Sequence, residues 1–417
     1  MRLNISQFYN KHRWIILIFV LAIIFRFIHF GPSVYFGYDE ARDAYVSQDI
    51  YLKGDFKIIG PGAGPTGVHH GVLFWYILGP LYLIGLGEPL IVSSFFRIFN
   101  ALGVFLIFQI GSLFFNKRVG LVAALIYAVS YEVIQYAIYA GNPSLAIISW
   151  LFIFYGLGLI YKNSQNSFKG LLLTVVGVAT AIQFELYLVY TVFLTTGLLF
   201  ILRKKLRLNL QQIFILVTVF IAILSPYILS QILYNFQDVK QALQIVGSGF
   251  SVLAEGETKY STYLKGLSTI FQDNVMLFPV RSLWSYVLMV VILGSLMIQS
   301  WRQKSISLLI VIVWCLSGMI MLVFGGYSMY HVNVGIGLGV IIGVSYLVAL
   351  VSKRSIYLGL ILLSAVLMSN IYLVWTKNDE SINVGIKAQP FMRLVDQYKI
   401  IDQMYRYANG NGFTFKV

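Results

Sequence analysis

The sequence predicts an all-α polytopic membrane protein of about eleven transmembrane helices, with a long first outer loop that carries interfacial helices. Three observations predict it. Hydrophobic residues fill 59% of the 417 positions and charged residues only 11%, against about 25% charged in soluble domains. Apolar runs recur at close to the roughly 20 residues that a helix needs to cross a bilayer. The charges are sorted between alternate loops rather than scattered.

The spans fall at approximately 14–30, 90–115, 119–140, 144–161, 168–185, 187–202, 211–232, 283–300, 306–324, 332–351 and 356–375. Alternate loops then hold fifteen basic residues, from Arg2 to Arg354, and no acidic one. The positive-inside rule puts those loops in the cytoplasm. The chain is read as an integral protein of the cytoplasmic (plasma) membrane, with a cytoplasmic N-terminus and its active site and C-terminal tail outside. The net charge of +14 is therefore a topology signal and not a nucleic-acid footprint. Residues 71–86 are apolar but short and broken by Gly79-Pro80, so they read as an interfacial or re-entrant helix. The single Cys315 excludes an intrachain disulfide. The run Trp14 to Phe30 lacks a small-residue cleavage site, which argues against a removed signal peptide.

Two outer loops stand out, 31–89 and 233–282. In the second, Gly247-Ser248-Gly249 reads as a hinge. Tyr260, Tyr263, Leu264, Leu267, Ile270 and Phe271 then recur at helical spacing, as in a helix lying on the membrane. The transmembrane domain occupies 1–376 and an outer tail 377–417. In the tail Leu394, Tyr398, Ile401, Met404 and Tyr405 fall on one helical face. Its last six residues alternate like a strand, so the tail reads as a truncated small domain.

The chemistry concentrates at Gly37-Tyr38-Asp39-Glu40-Ala41-Arg42-Asp43, just after the first span. A carboxylate there sits at the membrane surface, close to water, and can take a proton from an incoming hydroxyl. Asp39 equally suits the cap of a helix beginning at Glu40. Ionisable residues inside spans are costly and are functional candidates by default. Arg26 and His29, Arg97, Glu132 with Gln135, Tyr136 and Tyr139, Glu185 and His331 all lie towards the outer ends. A transporter places its sites near the midplane. Each residue also has a structural reading: Arg26 snorkels outward, Arg97 and Glu132 pair between helices, and Glu185 marks a hairpin turn. His69 and His70 are adjacent in the first loop, and two histidines alone do not make a metal site.

Asp-Glu-Ala, then Gly54-Asp55-Phe56, a Pro/Gly-rich stretch, His70-Gly71, Trp75-Tyr76 and Pro80-Leu81-Tyr82 resemble the first outer loop of GT-C glycosyltransferases. The branch with protein O-mannosyltransferases and the aminoarabinose transferases of lipid A is the most similar. The resemblance covers roughly residues 10–165 and continues as topology to 375. It implies a GT-C-like fold and a sugar donor on a polyprenyl phosphate. It implies Asp39 as catalytic base and Glu40 as the neighbour that orients it. The family's second acid, after the third span, is replaced here by Asn142. An Arg-Tyr pair before a late span is replaced by Tyr330-His331. The cations for the donor phosphate then come from Arg42, Arg97, Lys259, His69, His70 or His331, with Glu132, Asn142, Glu185 and Tyr330 as further substrate contacts. The expected partners are a polyprenyl-phosphate-linked sugar, a lipid, glycan or protein acceptor, and membrane lipids, with no nucleic acid. No cofactor is required, and a divalent metal is permitted. The competing functions are a lipid-linked sugar flippase or transporter, a structural assembly protein, and a polymer ligase with a diphosphate-linked donor.

Overall fold

The computed structural model describes residues 5–63, 67–248, 258–275, 283–323, 332–377 and 393–408. These residues are overwhelmingly helical, and their only β pairing is two isolated bridges. Helix α1 (Ile5–Arg26) enters the membrane and stops at Arg26, short of the expected 30. The first outer loop then folds into α2 (Tyr38–Leu52) and α3 (Leu73–Ile84). At 12 residues, α3 is about 18 Å long and too short to span, which agrees with an interfacial helix. It lies against α2, and Gly79 makes the approach possible. A Cβ at Gly79 would collide with the Ser47 carbonyl and the Tyr51 ring.

The second span is one 26-residue rod, α4 (Pro89–Ala101) and α5 (Gly103–Phe114). The third, α6 (Lys117–Val129) and α7 (Tyr131–Ile138), is broken at Ser130 and bends by 53°. Helix α8 (Asn142–Lys162) packs along α9 (Ser167–Phe184), and a 3₁₀ turn leads to α10 (Tyr190–Ile201) and then α11 (Leu210–Leu233). The second outer loop holds α12 (Gln237–Ser248) and α13 (Lys259–Val275). Helices α14 (Leu283–Gln303), α15 (Ile306–Cys315), α16 (Ile320–Val323), α17 (Ile336–Ser352) and α18 (Ile356–Lys377) complete the bundle. The tail contributes α19 (Leu394–Ala408).

Each expected span is largely helical, but a count of eleven continuous spans is not confirmed. Among the described residues six helices are long and apolar enough to cross alone, or seven with the bent pair. Helix α1 has 22 residues, and the others are short or broken. Helix α17, with 17 residues, reaches about 25 Å against a hydrocarbon core of about 30 Å. The apolar window of α8 is 78% buried inside the protein and that of α11 only 17%. Helix α8 is therefore the centre of the bundle and α11 its lipid-facing rim. Trp150 and Phe154 of α8 and Trp314 of α15 stack nearly parallel within the core.

The periodicity of residues 260–271 does mark a helix, but not one resting on the membrane. Tyr263, Leu267, Ile270 and Phe271 are buried, against α14, α17, α18 and α7. The tail helix has Leu394 buried, while Ile401 and Tyr405 are exposed. It is moored by its first turn to the strip just before α2. Tyr35 bridges Arg393, Leu394 N–H donates to the Val34 carbonyl at 3.0 Å, and Gln397 donates to the Phe36 carbonyl at 2.7 Å. The proposed hinge residue Gly249 and the terminal strand lie outside the described residues.

Gly79→Ala is expected to separate α2 from α3, because the obstacle is main chain and not a flexible side-chain tip. The cost should be about 1–3 kcal/mol, seen as a lower thermal midpoint in detergent. An unchanged midpoint would mean that the two helices are not in close contact.

Candidate active site

Helix α2 begins at Tyr38, with Gly37 as its cap residue. Asp39 is not the cap. Glu40 takes that work, accepting the Gly37 N–H at 2.9 Å, as the third residue of a capping box does. Glu40 is only 4% exposed. Burial pushes its carboxyl up to about 8; the backbone hydrogen bonds oppose this, and the nearby Asp39 and Asp43 add to it.

Asp39 points outward, with its side chain 63% exposed. One of its oxygens, Oδ1, accepts from Arg42 Nη1 at 2.7 Å. The other edge of the same guanidinium is held by Asp43. Its Nε and Nη2 both donate to Asp43 Oδ1, at 2.9 and 2.8 Å. Trp75 Nε1 on α3 donates to that oxygen too, at 2.9 Å. Burial raises the Asp43 carboxyl, and Arg42 and Trp75 pull against that. Two carboxylates one helical turn apart thus share one cation, and α3 anchors the buried end.

Tyr35 closes the other side. A Cβ on Gly37 would meet its hydroxyl. Burial, with Glu40 and Asp39 beside it, pushes that hydroxyl up to about 12. Its ring faces Tyr139 at 6.4 Å, which leads into the Gly141–Asn142 turn. Asn142 opens α8 and is 7% exposed, and its buried Oδ1 has no hydrogen-bond partner among the described residues. The aromatic pair thus brings the turn that carries Asn142 towards the loop that carries Asp39.

The remaining candidates are placed elsewhere. His69 Nδ1 meets Asp238 of α12 at 3.2 Å. His70 Nδ1 accepts the Leu186 N–H at 3.2 Å and lies 3.5 Å from Glu185 Oε1. Gly71 N–H donates to the Gln183 carbonyl at 3.0 Å, and Tyr187 donates to the Ala63 carbonyl at 2.8 Å. Both histidines therefore tie the first outer loop to the α9–α10 turn and to the second outer loop. Tyr330 and His331 lie outside the described residues.

Arg97 and Glu132 do not form a pair. Arg97 is fully buried and spends its donors on Ser93 Oγ at 3.2 Å, Ser33 Oγ at 2.9 Å and the Arg26 carbonyl, with the Phe30 ring at 5.0 Å. Arg26 does not snorkel outward. It is 0% exposed and donates to Asn100 Oδ1 and to the Ala22 and Ala128 carbonyls. Glu132 sits just past the break in the third span and accepts from Asn274 Nδ2 of α13. Asn274 in turn accepts from Ser130 at 2.7 Å and is tied to Asn370. Neutral acceptors answer the two buried arginines, and a neutral donor answers Glu132.

The residues missed by sequence reasoning are Asp43 and Tyr35. Asp43 lies four positions after Asp39, hence on the same helical face, and that spacing was the available signal. Nothing in the sequence singled out Tyr35. The described residues contain no group of three or more His, Cys, Asp or Glu arranged to hold a metal.

Residues 69–229 match the family model described as dolichyl-phosphate-mannose-protein mannosyltransferase. No curated protein sequence matches the chain. Among solved structures, the oligosaccharyltransferase of Archaeoglobus fulgidus is similar in fold. With a tethered acceptor peptide containing the NVT sequon, its TM-score is 0.53 at 11% identity, over 99% of this chain and 61% of that one. Solved with Zn and sulfate, the same protein gives 0.52 at 12% identity, over 96% and 59%. With an inhibitory peptide and a dolichol-phosphate it gives 0.51 at 12%, over 98% and 62%. The chain spans about three fifths of the length of that protein.

Two stability outcomes follow from the burial of these charges. A carboxyl raised from 4.5 to about 8 binds its proton more tightly in the fold. The stability it contributes is complete below about pH 4.5 and is lost as pH rises through about 8. The thermal midpoint should therefore fall between about pH 5 and pH 9, and Glu40→Gln should flatten that fall; superimposable profiles would count against it. Arg97→Gln should lower the midpoint, and adding Glu132→Gln should bring no recovery. Recovery in the double variant would restore the ion pair.

Proposed function

We propose that the chain is a GT-C-type, inverting glycosyltransferase, a reading supported by the family-model match over residues 69–229 and by the likeness in fold. It moves one sugar, a hexose or pentose, from a polyprenyl-phosphate donor to a hydroxyl of a lipid, glycan or protein, at the outer face of the membrane. The observation that carries this reading is Asp39. It is an exposed carboxylate at the mouth of the first outer loop, one turn from a cation that α3 holds in place. A lipid-linked donor is supported by the matched family description and by the dolichol-phosphate bound to the archaeal relative. The sorting of basic residues supports the outer-face assignment.

In this mechanism Asp39 accepts the proton of the acceptor hydroxyl. The oxygen attacks the anomeric carbon from the side opposite the phosphate, and the bond between that carbon and the phosphate oxygen breaks. Negative charge develops on the departing polyprenyl phosphate, where a fixed cation is most effective. Arg42 is the partly exposed candidate for that work, with His69 farther along the loop. Arg97 is enclosed and serves the helix junction. Glu40 holds the first turn of α2 and so sets the direction of Asp39. Asn142, whose buried Oδ1 has no partner among the described residues, serves as a hydrogen-bonding amide for a sugar hydroxyl.

Asp39→Asn keeps the shape and removes the base. Transfer should fall by about 10²–10⁴-fold, while membrane insertion and thermal midpoint persist. Near-normal turnover would remove the base assignment. The sidedness is checked with single cysteines in a Cys315→Ser background. Positions 165 and 205 should resist an impermeant thiol reagent in intact cells, and 240 and 399 should label. The opposite pattern would put the site on the cytoplasmic side.

A further inference from the structure

We propose that Asp43 and Trp75 fix Arg42 as a receptor for the lipid phosphate, and that Asp39 occupies this receptor until the phosphate displaces it. The inference rests on the reading of the donor as a prenyl phosphate. The geometry has two unequal halves. On one side, Asp43 is 4% exposed and takes three hydrogen bonds on one oxygen, from Arg42 Nε, Arg42 Nη2 and Trp75 Nε1. Two donors of the guanidinium are committed there, so its plane cannot turn. On the other side, Nη1 projects to the exposed Asp39. An ion pair so open to solvent is weak, and the Asp39 side chain is free to swing.

Asp39 cannot serve Arg42 and an acceptor hydroxyl equally well. While its carboxylate holds the guanidinium, its lone pairs are partly engaged and the base is masked. A phosphate is the stronger competitor, because it brings more charge and more acceptor oxygens to the same fork. Its arrival at Nη1 would release Asp39 towards the acceptor. Donor binding then arms the base, and the empty enzyme keeps it engaged. Asp43 and Trp75 act through Arg42 and are positioning residues.

Competition makes a prediction that a plain catalytic role for Asp39 does not. The probe is farnesyl phosphate, bound to the purified full-length protein in detergent, with farnesol as the control without phosphate. Asp39→Asn should tighten farnesyl phosphate by about two- to fivefold, the range that an exposed ion pair can oppose, and leave farnesol unchanged. Arg42→Gln should weaken it by about tenfold or more. In the Arg42→Gln background, Asp39→Asn should bring no tightening. Unchanged or weaker binding in Asp39→Asn overturns the proposal. Tightening that persists without Arg42 also overturns it, because simple repulsion then explains the effect. Trp75→Phe keeps the ring and loses the N–H. It should raise the donor KM more than it lowers kcat, and a loss of thermal midpoint alone would make Trp75 structural only. Loss of transfer in Asp39→Asn without tightening retains the base and removes the displacement. Tightening with transfer intact does the reverse.

Discussion

The structure around the first outer loop depends on one shared oxygen. Asp43 Oδ1 receives Arg42 twice and Trp75 once, joining α2 to α3 and fixing the only cation near Asp39 among the described contacts. A buried carboxylate is tolerable only when its charge is answered by donors, and here those donors come from both helices. The close approach at Gly79 brings the two helices near enough for Trp75 to reach. The bond orients a helix whose first turn is already set by Glu40.

Deeper in the membrane the same constraint has a different solution. Arg26 and Arg97 are answered by carbonyls, hydroxyls, an amide and aromatic faces, with no carboxylate among the described residues. Glu132 is answered by Asn274. These contacts join α1, α4, α6, α7, α13 and α18. They convert polar groups that would be costly in lipid into connections between helices remote in sequence. The broken third span is where this network gathers, since Ser130 at the break contributes its own hydroxyl.

Much of this was legible in the sequence, and the division between what was and was not is physical. Apolar runs and the sorting of Lys and Arg give positions of helices, because both act along one dimension. The shortness of the helix within 71–86 and the helix at 260–271 followed from length and periodicity. Periodicity shows that a face is buried but not what covers it, so α13 was placed on the membrane and not inside the bundle. Partners of buried ions were equally beyond reach. Arg97 and Glu132 have opposite charge and suitable depth, yet each is satisfied by neutral groups that no charge pattern reveals. At the site, Asp39 and Glu40 were read together, and the structure divides them: one faces water, the other caps the helix. Asp43 was within the motif but carried no signal of its own beyond its spacing.

The mooring of α19 has a consequence for the order in which the molecule is assembled. Gln397 and the Phe36 carbonyl that it holds are 361 positions apart. Loop closure over such a length costs little more than over a shorter one, but the contact cannot form before residue 397 exists. During synthesis the strip at 34–36 must therefore wait for its mooring until residues 393–397 have been made. A chain stopped before residue 393 carries an unfinished entrance to the helix of Asp39.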